Sequence, residues 1–280
     1  MAIRIITDSA ADYSAQEIQK RNITCIPMTI TFGDESFLDM EELSKEEFYE
    51  RLVSEKELPK TSQPAITGFL DCFEEAKASG DTVIAILISK TLSGTIQGAM
   101  LAKNMAEYDN IYIMDSKIAT LGMRFMVDCA VRMRDQGCSA EEIVKALEEL
   151  RPRIRLYAGL DTLEYLQKGG RLSRAEAGIA KMVNLKPIIA FDPEGNLEVC
   201  GKQIGMRHAY KQVAAILEEH RPDETYPIYF IYSMDKKNCA GFIKALEKKG
   251  IDYGTPKLRG IGATIGTHIG PGAFGIVYVE

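Results

Sequence analysis

Short apolar runs alternate with helix-like runs through the first half of the chain, and this alternation constrains the fold most. The apolar runs are Ile3 to Ile6, Ile23 to Phe32, Val83 to Ile88 and Ile111 to Met114. They are mostly continuous rather than alternating, which is typical of strands buried on both faces of a parallel sheet. Ligands of such sheets bind outside the carboxyl ends of the strands. The first half therefore predicts a parallel-sheet α/β domain.

A turn rich in hydroxyl groups is predicted at that edge of the sheet. Residues 89–95, Ser-Lys-Thr-Leu-Ser-Gly-Thr, separate the strand that ends at Ile88 from the helix-like run Ile96 to Ala106. A helix that begins there directs unpaired N–H groups and its positive dipole end out of the sheet. The hydroxyl groups of Ser93 and Thr95 add rotatable donors. This turn predicts a site for a small anion.

A second turn of the same type is formed by residues 60–64, Lys-Thr-Ser-Gln-Pro, before the helical run Ala65 to Ala78. Proline is favoured in the first turn of a helix, so the helix is expected to start here. Either turn alone could serve only to cap its helix. If the two turns meet at one edge of the sheet, they predict a cradle for a single acidic head group.

The organisation changes after Arg151-Pro152, which interrupts a helix that ends near Leu150. We therefore place a domain boundary between residues 1–153 and 154–280. The second half alternates helical runs with strands, and these include a predicted strand from Arg155 to Leu160 and a hairpin of Pro187 to Phe191 with Asn196 to Cys200. This mixture predicts a C-terminal α+β domain with a mixed sheet.

Composition excludes several classes of protein. The net charge of −6, without a basic block, argues against a surface for nucleic acid or anionic membranes. The six cysteines are scattered and no pair has CxxC spacing, which favours reduced thiols in a cytoplasmic protein. No signal-peptide pattern and no membrane-spanning run is evident, and no metal or cofactor is expected.

The common catalytic signatures are also missing. The sequence contains no GxxxxGK[ST] loop, no GxSxG elbow and no HExxH helix. Ser93 could act as a nucleophile only with a base, and the candidates Lys60, Lys90 and His268 have no recognised spacing from it. Two alternatives nevertheless stay open: an enzyme, either an acyl-ester hydrolase or kinase-like, and a module that binds another small acid or a regulatory partner.

Other polar residues have two interpretations each. Asp8, Asp12 and Asp115 lie near strand ends, where helix-capping carboxylates are expected more often than metal ligands. His268 precedes the glycine-rich Gly270-Pro271-Gly272 and could approach a ligand, whereas His208 and His220 are expected at the surface. Cations in the segment 165–173 could bind a phosphate group or a partner, or could simply belong to a helix end.

Six segments together resemble one family. They are Ile5-Ile6-Thr7-Asp8-Ser9, Thr61-Ser62-Gln63-Pro64, Ser93-Gly94-Thr95-Ile96-Gln97, residues 165–173 (YLQKGGRLS), Lys186-Pro187-Ile188 and His268-Ile269-Gly270-Pro271-Gly272. In order and spacing they are similar to the motifs of the DegV family, over the whole chain. The resemblance implies two α/β domains with a long-chain acyl group between them, and a fatty acid kinase as a partner in bacteria that have one.

The resemblance also implies roles for particular residues. The carboxylate-binding threonine and serine of the family correspond to Thr61 and Ser93, and its head-group histidine corresponds to His268. The neighbouring turn residues Ser62, Gly94 and Thr95 join them as expected ligand contacts. Kinase-coupled relatives often have arginine where this chain has Ile204, after Gly201-Lys202-Gln203. The expected cations for docking a partner are Lys168, Arg171, Arg174, Lys202 and Arg207.

Overall fold

The computed structural model describes residues 2–172 and 184–280. In chain order the elements in these ranges are β1 (Ile3–Asp8), α1 (Ala15–Arg21), β2 (Ile23–Ile26), β3 (Thr29–Phe32), β4 (Glu35–Leu38), α2 (Lys45–Ser54), β5 (Lys60–Ser62), α3 (Ile66–Ser79), β6 (Thr82–Leu87), α4 (Thr95–Ala106), β7 (Ile111–Asp115), α5 (Leu121–Asp135), α6 (Ala140–Leu150), β8 (Ile154–Gly159), α7 (Glu164–Lys168), β9 (Leu185–Phe191), β10 (Leu197–Ile204), α8 (Met206–Glu219), β11 (Tyr229–Tyr232), α9 (Lys237–Lys249), β12 (Lys257–Gly260), α10 (Ala263–Ile269) and β13 (Phe274–Val279). Short 3₁₀ helices follow β1 and α6.

The chain divides into two compact units. The first consists of Met1–Leu43, Thr61–Pro152 and Pro193–Asn196, and the second consists of Ser44–Lys60, Arg153–Asp192 and Leu197–Glu280. Each unit thus includes a segment from the other half of the sequence. The single domain boundary between residues 153 and 154 stays a prediction.

The first unit contains the predicted parallel sheet, with strand order β2-β1-β6-β7. One face packs against α3 and α4, where Phe69 and Phe73 meet Ala99, Ala102 and residues of β6 in a continuous buried core. Helix α5 contacts β1 and β6, and most of its residues are buried. Because the strands are parallel, their carboxyl ends share one edge of the sheet.

The predicted single strand from Ile23 to Phe32 is wrong. The structure has two strands there: β2 belongs to the parallel sheet, and β3 belongs to a separate three-stranded sheet of order β4-β3-β5. Pro27 lies between them. Proline has no N–H to donate to a ladder, so a central strand cannot continue through it.

The second unit contains a six-stranded mixed sheet of order β10-β9-β8-β13-β11-β12. The pair β11 and β12 is parallel, and the pairs from β10 through β13 to β11 are antiparallel. The predicted hairpin is confirmed, with Leu197 opposite Phe191, although β10 extends to Ile204. Helices α8 and α9 contribute to a core with β11 and β13 that includes Val213, Phe242 and Phe274.

A buried ion network joins α1 to α5. Arg124 is 1% exposed, donates two hydrogen bonds to the carboxylate of Glu17, and lies over the ring of Tyr13 at 4.2 Å from the centroid. The Tyr13 hydroxyl donates to Asp128 at 2.7 Å, and Arg21 donates to the same carboxylate oxygen at 2.6 Å. The stacked guanidinium therefore connects the two helices through charge-assisted bonds.

No helix in the described ranges is both long enough and apolar enough to cross a bilayer.

Candidate anion-binding site

Helices α3 and α4 of the first unit start at residues that have no polar side chain. The N-cap residues are Ala65 before α3 and Gly94 before α4, and neither makes a side-chain capping hydrogen bond within the part of the chain described. Neither residue has a side-chain oxygen that could accept one. The N-cap side chains therefore do not occupy the first-turn N–H groups of either helix, and each helix places its positive dipole end there.

The two hydroxyl turns lie next to each other, and Gln63 joins them. A methyl group on Gly94 would clash with the side-chain oxygen of Gln63, and one on Gly98 would lie 3.2 Å from its Nε2 and 3.7 Å from Ile66. Glycine at both positions lets the Gln63 side chain lie against the start of α4. The N-termini of α3 and α4 therefore lie next to each other, and a helix N-terminus is a favourable position for an anion.

The hydroxyl groups at this place are neutral donors of different exposure. Ser93 Oγ and Thr95 Oγ1 are 2.8 Å apart, and either can donate to the other. Thr95 is buried, Ser93 and Thr61 are half-buried, and Ser62 is exposed. Because one hydroxyl hydrogen suffices for the bond between Ser93 and Thr95, the second hydrogen can be donated to a ligand.

The other two hydroxyl groups of the turn have a structural role that the sequence did not indicate. Ser89 Oγ donates to the backbone carbonyl of Gly195 at 2.8 Å, and Thr91 Oγ1 donates to the same oxygen at 2.5 Å. Lys117 Nζ donates to the carbonyl of Pro193 at 2.8 Å. The segment Pro193–Asn196 therefore fixes the start of the turn that carries Ser93.

Replacing Gly195 by alanine is expected to destabilise the first unit by about 2 kcal/mol or more and to loosen this turn. Gly195 has φ +88°, and a Cβ there would lie 2.6 Å from Ser89 Oγ and 2.8 Å from the Cα of Lys117, so strain and a clash add together. Gly137 is a matched control, because its φ is +82° and no atom lies within 4 Å of a Cβ. Denaturant titration should show a clearly smaller loss for Gly137→Ala, and equal losses would contradict the close contact.

His268 lies in the second unit, where it is mostly buried beside the glycine segment 169–170 of the predicted motif. A methyl group on Gly169 would clash with its Nδ1. Burial, and then the positive charge of Arg171, lower the pKa of His268 from 6.5 to about 4. The imidazole is therefore neutral at pH 7. The role of His268 in ligand binding stays a prediction, whereas the surface positions expected for His208 and His220 are confirmed.

The buried imidazole predicts that stability falls in acid between about pH 6.5 and pH 4. In this range the unfolded chain binds a proton at His268 that the folded chain does not, so the free energy of unfolding increases with pH. The unfolding free energy of wild type minus that of His268→Gln should therefore decrease as the pH falls from 7 to 4. His208→Gln, at an exposed position, should run parallel to wild type, and a parallel curve for His268→Gln would contradict a neutral buried ring.

The predicted docking cations are spread over several elements of the second unit. Lys168 forms an ion pair with Glu164 at 2.6 Å, and Arg171 donates to the carbonyl of Gly169 at 2.7 Å. Lys202 and Arg207 are exposed. Arg174 lies outside the described residues. The docking role of all five stays a prediction.

Of the three carboxylates predicted as helix caps, Asp8 caps a helix, whereas Asp12 accepts from the Thr120 hydroxyl and Asp115 accepts from backbone N–H groups of Lys90 and Lys117. Asp8 caps the 3₁₀ helix after β1 by accepting from the N–H of Ala10 at 3.0 Å. It is fully buried, and Asp12 and Asp39, also buried, act on it electrostatically. Within residues 2–172 and 184–280, no group of three metal-binding side chains is placed to hold an ion.

The family model described as "Uncharacterised protein, DegV family" matches residues 2–280. The chain belongs to the DegV family. Among curated relatives, a DegV domain-containing protein of Caldanaerobacter subterraneus subsp. tengcongensis is 34% identical over 278 residues, covering 99% of each chain. Protein DegV of Bacillus subtilis is 34% identical over 284 residues, with the same coverage.

Solved DegV structures share the fold over the full length. DegV of Bacillus subtilis, described as a fatty acid binding protein, is 33% identical with a TM-score of 0.85, covering 100% of this chain and 99% of that chain. A DegV family protein of Thermus thermophilus, described by its fatty acid binding, is 28% identical with a TM-score of 0.88 and complete coverage of both chains. A stearic acid-binding protein of Eubacterium ventriosum is 26% identical with a TM-score of 0.86, covering 99% of this chain and 98% of that chain.

Proposed function

We propose that this chain binds a long-chain fatty acid and holds its carboxylate at the adjacent N-termini of α3 and α4. The observation that carries the proposal is the meeting of these two N-termini at Gln63, with the hydroxyl groups of Ser93 and Thr95 beside them. Thr61, Ser62 and Gly94 belong to the same two turns. Membership of the DegV family, whose solved members include fatty acid binding proteins, supports the same ligand.

Neutral donors suit this ligand energetically. Burying a chain of about 16 carbons contributes on the order of 10 kcal/mol, at about 0.8 kcal/mol per CH₂, before the ordering costs of binding. The head group then needs hydrogen bonds that fix its orientation rather than a cation that supplies most of the affinity. Hydroxyl and backbone N–H donors also let the acid leave again, which a carrier requires.

The proposed role is that of a carrier without chemistry of its own. Ser93 Oγ lies against another hydroxyl, that of Thr95, and a hydroxyl group is not a base that could activate a nucleophile. All six cysteines are free thiols, which supports a reducing compartment such as the cytoplasm.

Extraction of the purified protein with organic solvent, followed by mass analysis, tests the function. One long-chain fatty acid per chain is expected, and protein stripped of lipid should bind added palmitate in a calorimetric titration. The same preparation should neither hydrolyse acyl esters nor consume ATP. Protein that yields no lipid and binds neither palmitate nor oleate would refute the proposal, and ester hydrolysis that disappears in Ser93→Ala would favour a hydrolase instead.

We also propose that a fatty acid kinase, where one is present, receives the bound acid from this chain. Lys202 and Ile204 are both exposed on β10, Ile204 at 53%, and the resemblance to the DegV family implies an arginine in place of Ile204 in kinase-coupled relatives. Acyl-phosphate formation with a purified fatty acid kinase should be slow for wild type and faster for Ile204→Arg, because an added cation strengthens docking to an acidic surface. Full activity in wild type and in Lys202→Ala would exclude this strand from the docking surface.

A further inference from the structure

Each of the two strands that flank β6 ends at an aspartate, and a serine follows each aspartate. Strand β1 ends at Asp8 and β7 ends at Asp115, and β6 lies between them in the sheet. Both carboxylates reach the loop that follows β6. Asp8 Oδ2 accepts from the N–H of Ile88 at 2.8 Å, and Asp115 Oδ1 accepts from the N–H of Lys90 at 3.4 Å. The loop that carries Ser93 is thus held from both sides at its first residues.

The contact at Asp8 is made in an environment that disfavours a carboxylate. Asp8 is fully buried, and its two oxygens accept backbone N–H groups of Ile88 and Ala10. Burial raises the pKa of Asp8 to about 7, and the charges of Asp12 and Asp39 add to the increase. A buried acid among like charges is costly for folding, so its position suggests a role besides stability.

Backbone hydrogen bonds connect the position of Ile88 to the rest of the loop. Ser89 donates its N–H to Ile118 at 3.0 Å, and its carbonyl accepts from Leu92 at 3.0 Å and from Ser93 at 3.3 Å. The path of the chain from Ile88 to Ser93 is therefore closed into a compact turn. The position of Ile88 therefore determines the orientation of the Ser93 hydroxyl and of the N-terminus of α4.

We propose that Asp8 is a positioning residue for recognition of the ligand carboxylate, and that Asp115 supports it from the other side. This inference rests on the proposed binding of a fatty acid at the start of α4. Asp8 does not touch the ligand in this arrangement. The hydrogen bond between Asp8 and Ile88 fixes the position of the donors that contact the ligand carboxylate. Asp8 therefore governs the preference for an acid over an uncharged head group, and it does not affect binding of the apolar part of the ligand.

Asp8→Asn is the variant that isolates this role. Above pH 7, where Asp8 is ionised, its carboxylate accepts hydrogen bonds at both oxygens, whereas an asparagine amide accepts at one and carries hydrogens on the other atom, so the variants are compared in that range. The amide therefore keeps the bond to Ile88 or the bond to Ala10, and loses the other, with little change in volume. Asp115→Asn is a second variant with a longer, weaker bond, and Asp34→Asn, in the exposed turn after Gly33, is the matched control.

The experiment compares affinity for palmitate with affinity for hexadecanol, which has the same chain length and an uncharged head group. In Asp8→Asn, affinity for palmitate should fall about tenfold while affinity for hexadecanol changes less than threefold. Asp115→Asn should show a smaller change in the same direction, and Asp34→Asn should match wild type. A loss of folded protein would instead lower both affinities by the same factor, so the ratio separates positioning from stability.

Each outcome is decisive. An unchanged ratio in a folded Asp8→Asn, with wild type preferring palmitate, overturns the inference and leaves the proposed function intact. If Asp8→Asn does not fold, the ratio in Asp115→Asn decides: a reduced preference for palmitate supports the inference and an unchanged one overturns it. Wild type that binds neither compound refutes the proposed function itself.

Discussion

Replacing Thr61 and Ser93 together by alanine is expected to weaken palmitate binding by about 10²- to 10⁴-fold and to leave the fold intact. Each hydrogen bond to a charged group contributes about 1.5–3 kcal/mol, and every 1.4 kcal/mol corresponds to a factor of ten in affinity. Some affinity should persist, because binding still removes the apolar chain of palmitate from water. Calorimetric titration of lipid-free protein measures the loss, and circular dichroism with a thermal scan verifies the fold.

The control for this experiment is Ser79→Ala. Ser79 lies in the last turn of α3, at the end opposite to Thr61, where its hydroxyl donates to the carbonyl of Glu75 at 3.0 Å. Ser79→Ala removes a hydroxyl group from the far end of the helix that follows Thr61 without touching the site, so palmitate binding should stay at the wild-type level. Binding unchanged in the double variant would place the head group elsewhere in the molecule.

Replacing Arg124 by alanine is expected to destabilise the protein by about 3–5 kcal/mol, the cost typical of removing one partner from a buried ion pair. The substitution leaves the Glu17 carboxylate without its two guanidinium bonds and removes the group stacked on Tyr13. Urea titration at pH 7 measures the loss. Arg4→Ala is the control, because Arg4 is one-third exposed and pairs with Glu75 and Asp81 near the surface, where about 1 kcal/mol or less is expected.

The acid dependence of stability distinguishes the contribution of the ion pair between Arg124 and Glu17 from the contribution of Arg124 packing. Burial by itself would raise the pKa of Glu17, but the hydrogen bonds from Arg124 and from the Ser14 backbone, with the charges of Arg124 and Arg21, lower it from 4.5 to about 2. The stability from this group is therefore present above about pH 4.5 and is lost as the pH falls toward 2. Arg124→Ala should lose much of this acid dependence. A variant with the wild-type acid dependence would show that packing, not charge, holds α1 to α5.

The sequence predicts those parts of the fold that depend on local patterns. Continuous apolar runs predict the buried parallel strands, and the hydroxyl-rich turn of residues 89–95 predicts a helix start at the edge of the sheet. Pro27 was the local signal that could have divided the run from Ile23 to Phe32. The sequence could not indicate which of the hydroxyl groups face a ligand, because Ser89 and Thr91 bond to Gly195, more than a hundred positions away.

The same limit applies to Asp8. As a residue at a strand end before a helix, it is correctly predicted to cap that helix. Its second bond joins it to Ile88, 80 positions later in the chain, and depends on β1 and β6 being neighbours with a particular register. Side-chain bonds across neighbouring strands follow from tertiary structure, which apolar periodicity alone does not specify.

The carbonyl of Gly195 has a consequence for the order in which the molecule forms during synthesis. A ribosome-bound chain that ends before Pro193 already contains β1, β2, β6 and β7 and can complete the parallel sheet, but the acceptor for Ser89 and Thr91 does not yet exist. The turn before α4 therefore reaches its final geometry only after residues 193–196 have emerged and returned to it. The proposed ligand site would in this sense be completed late, after the strands of the parallel sheet have been synthesised.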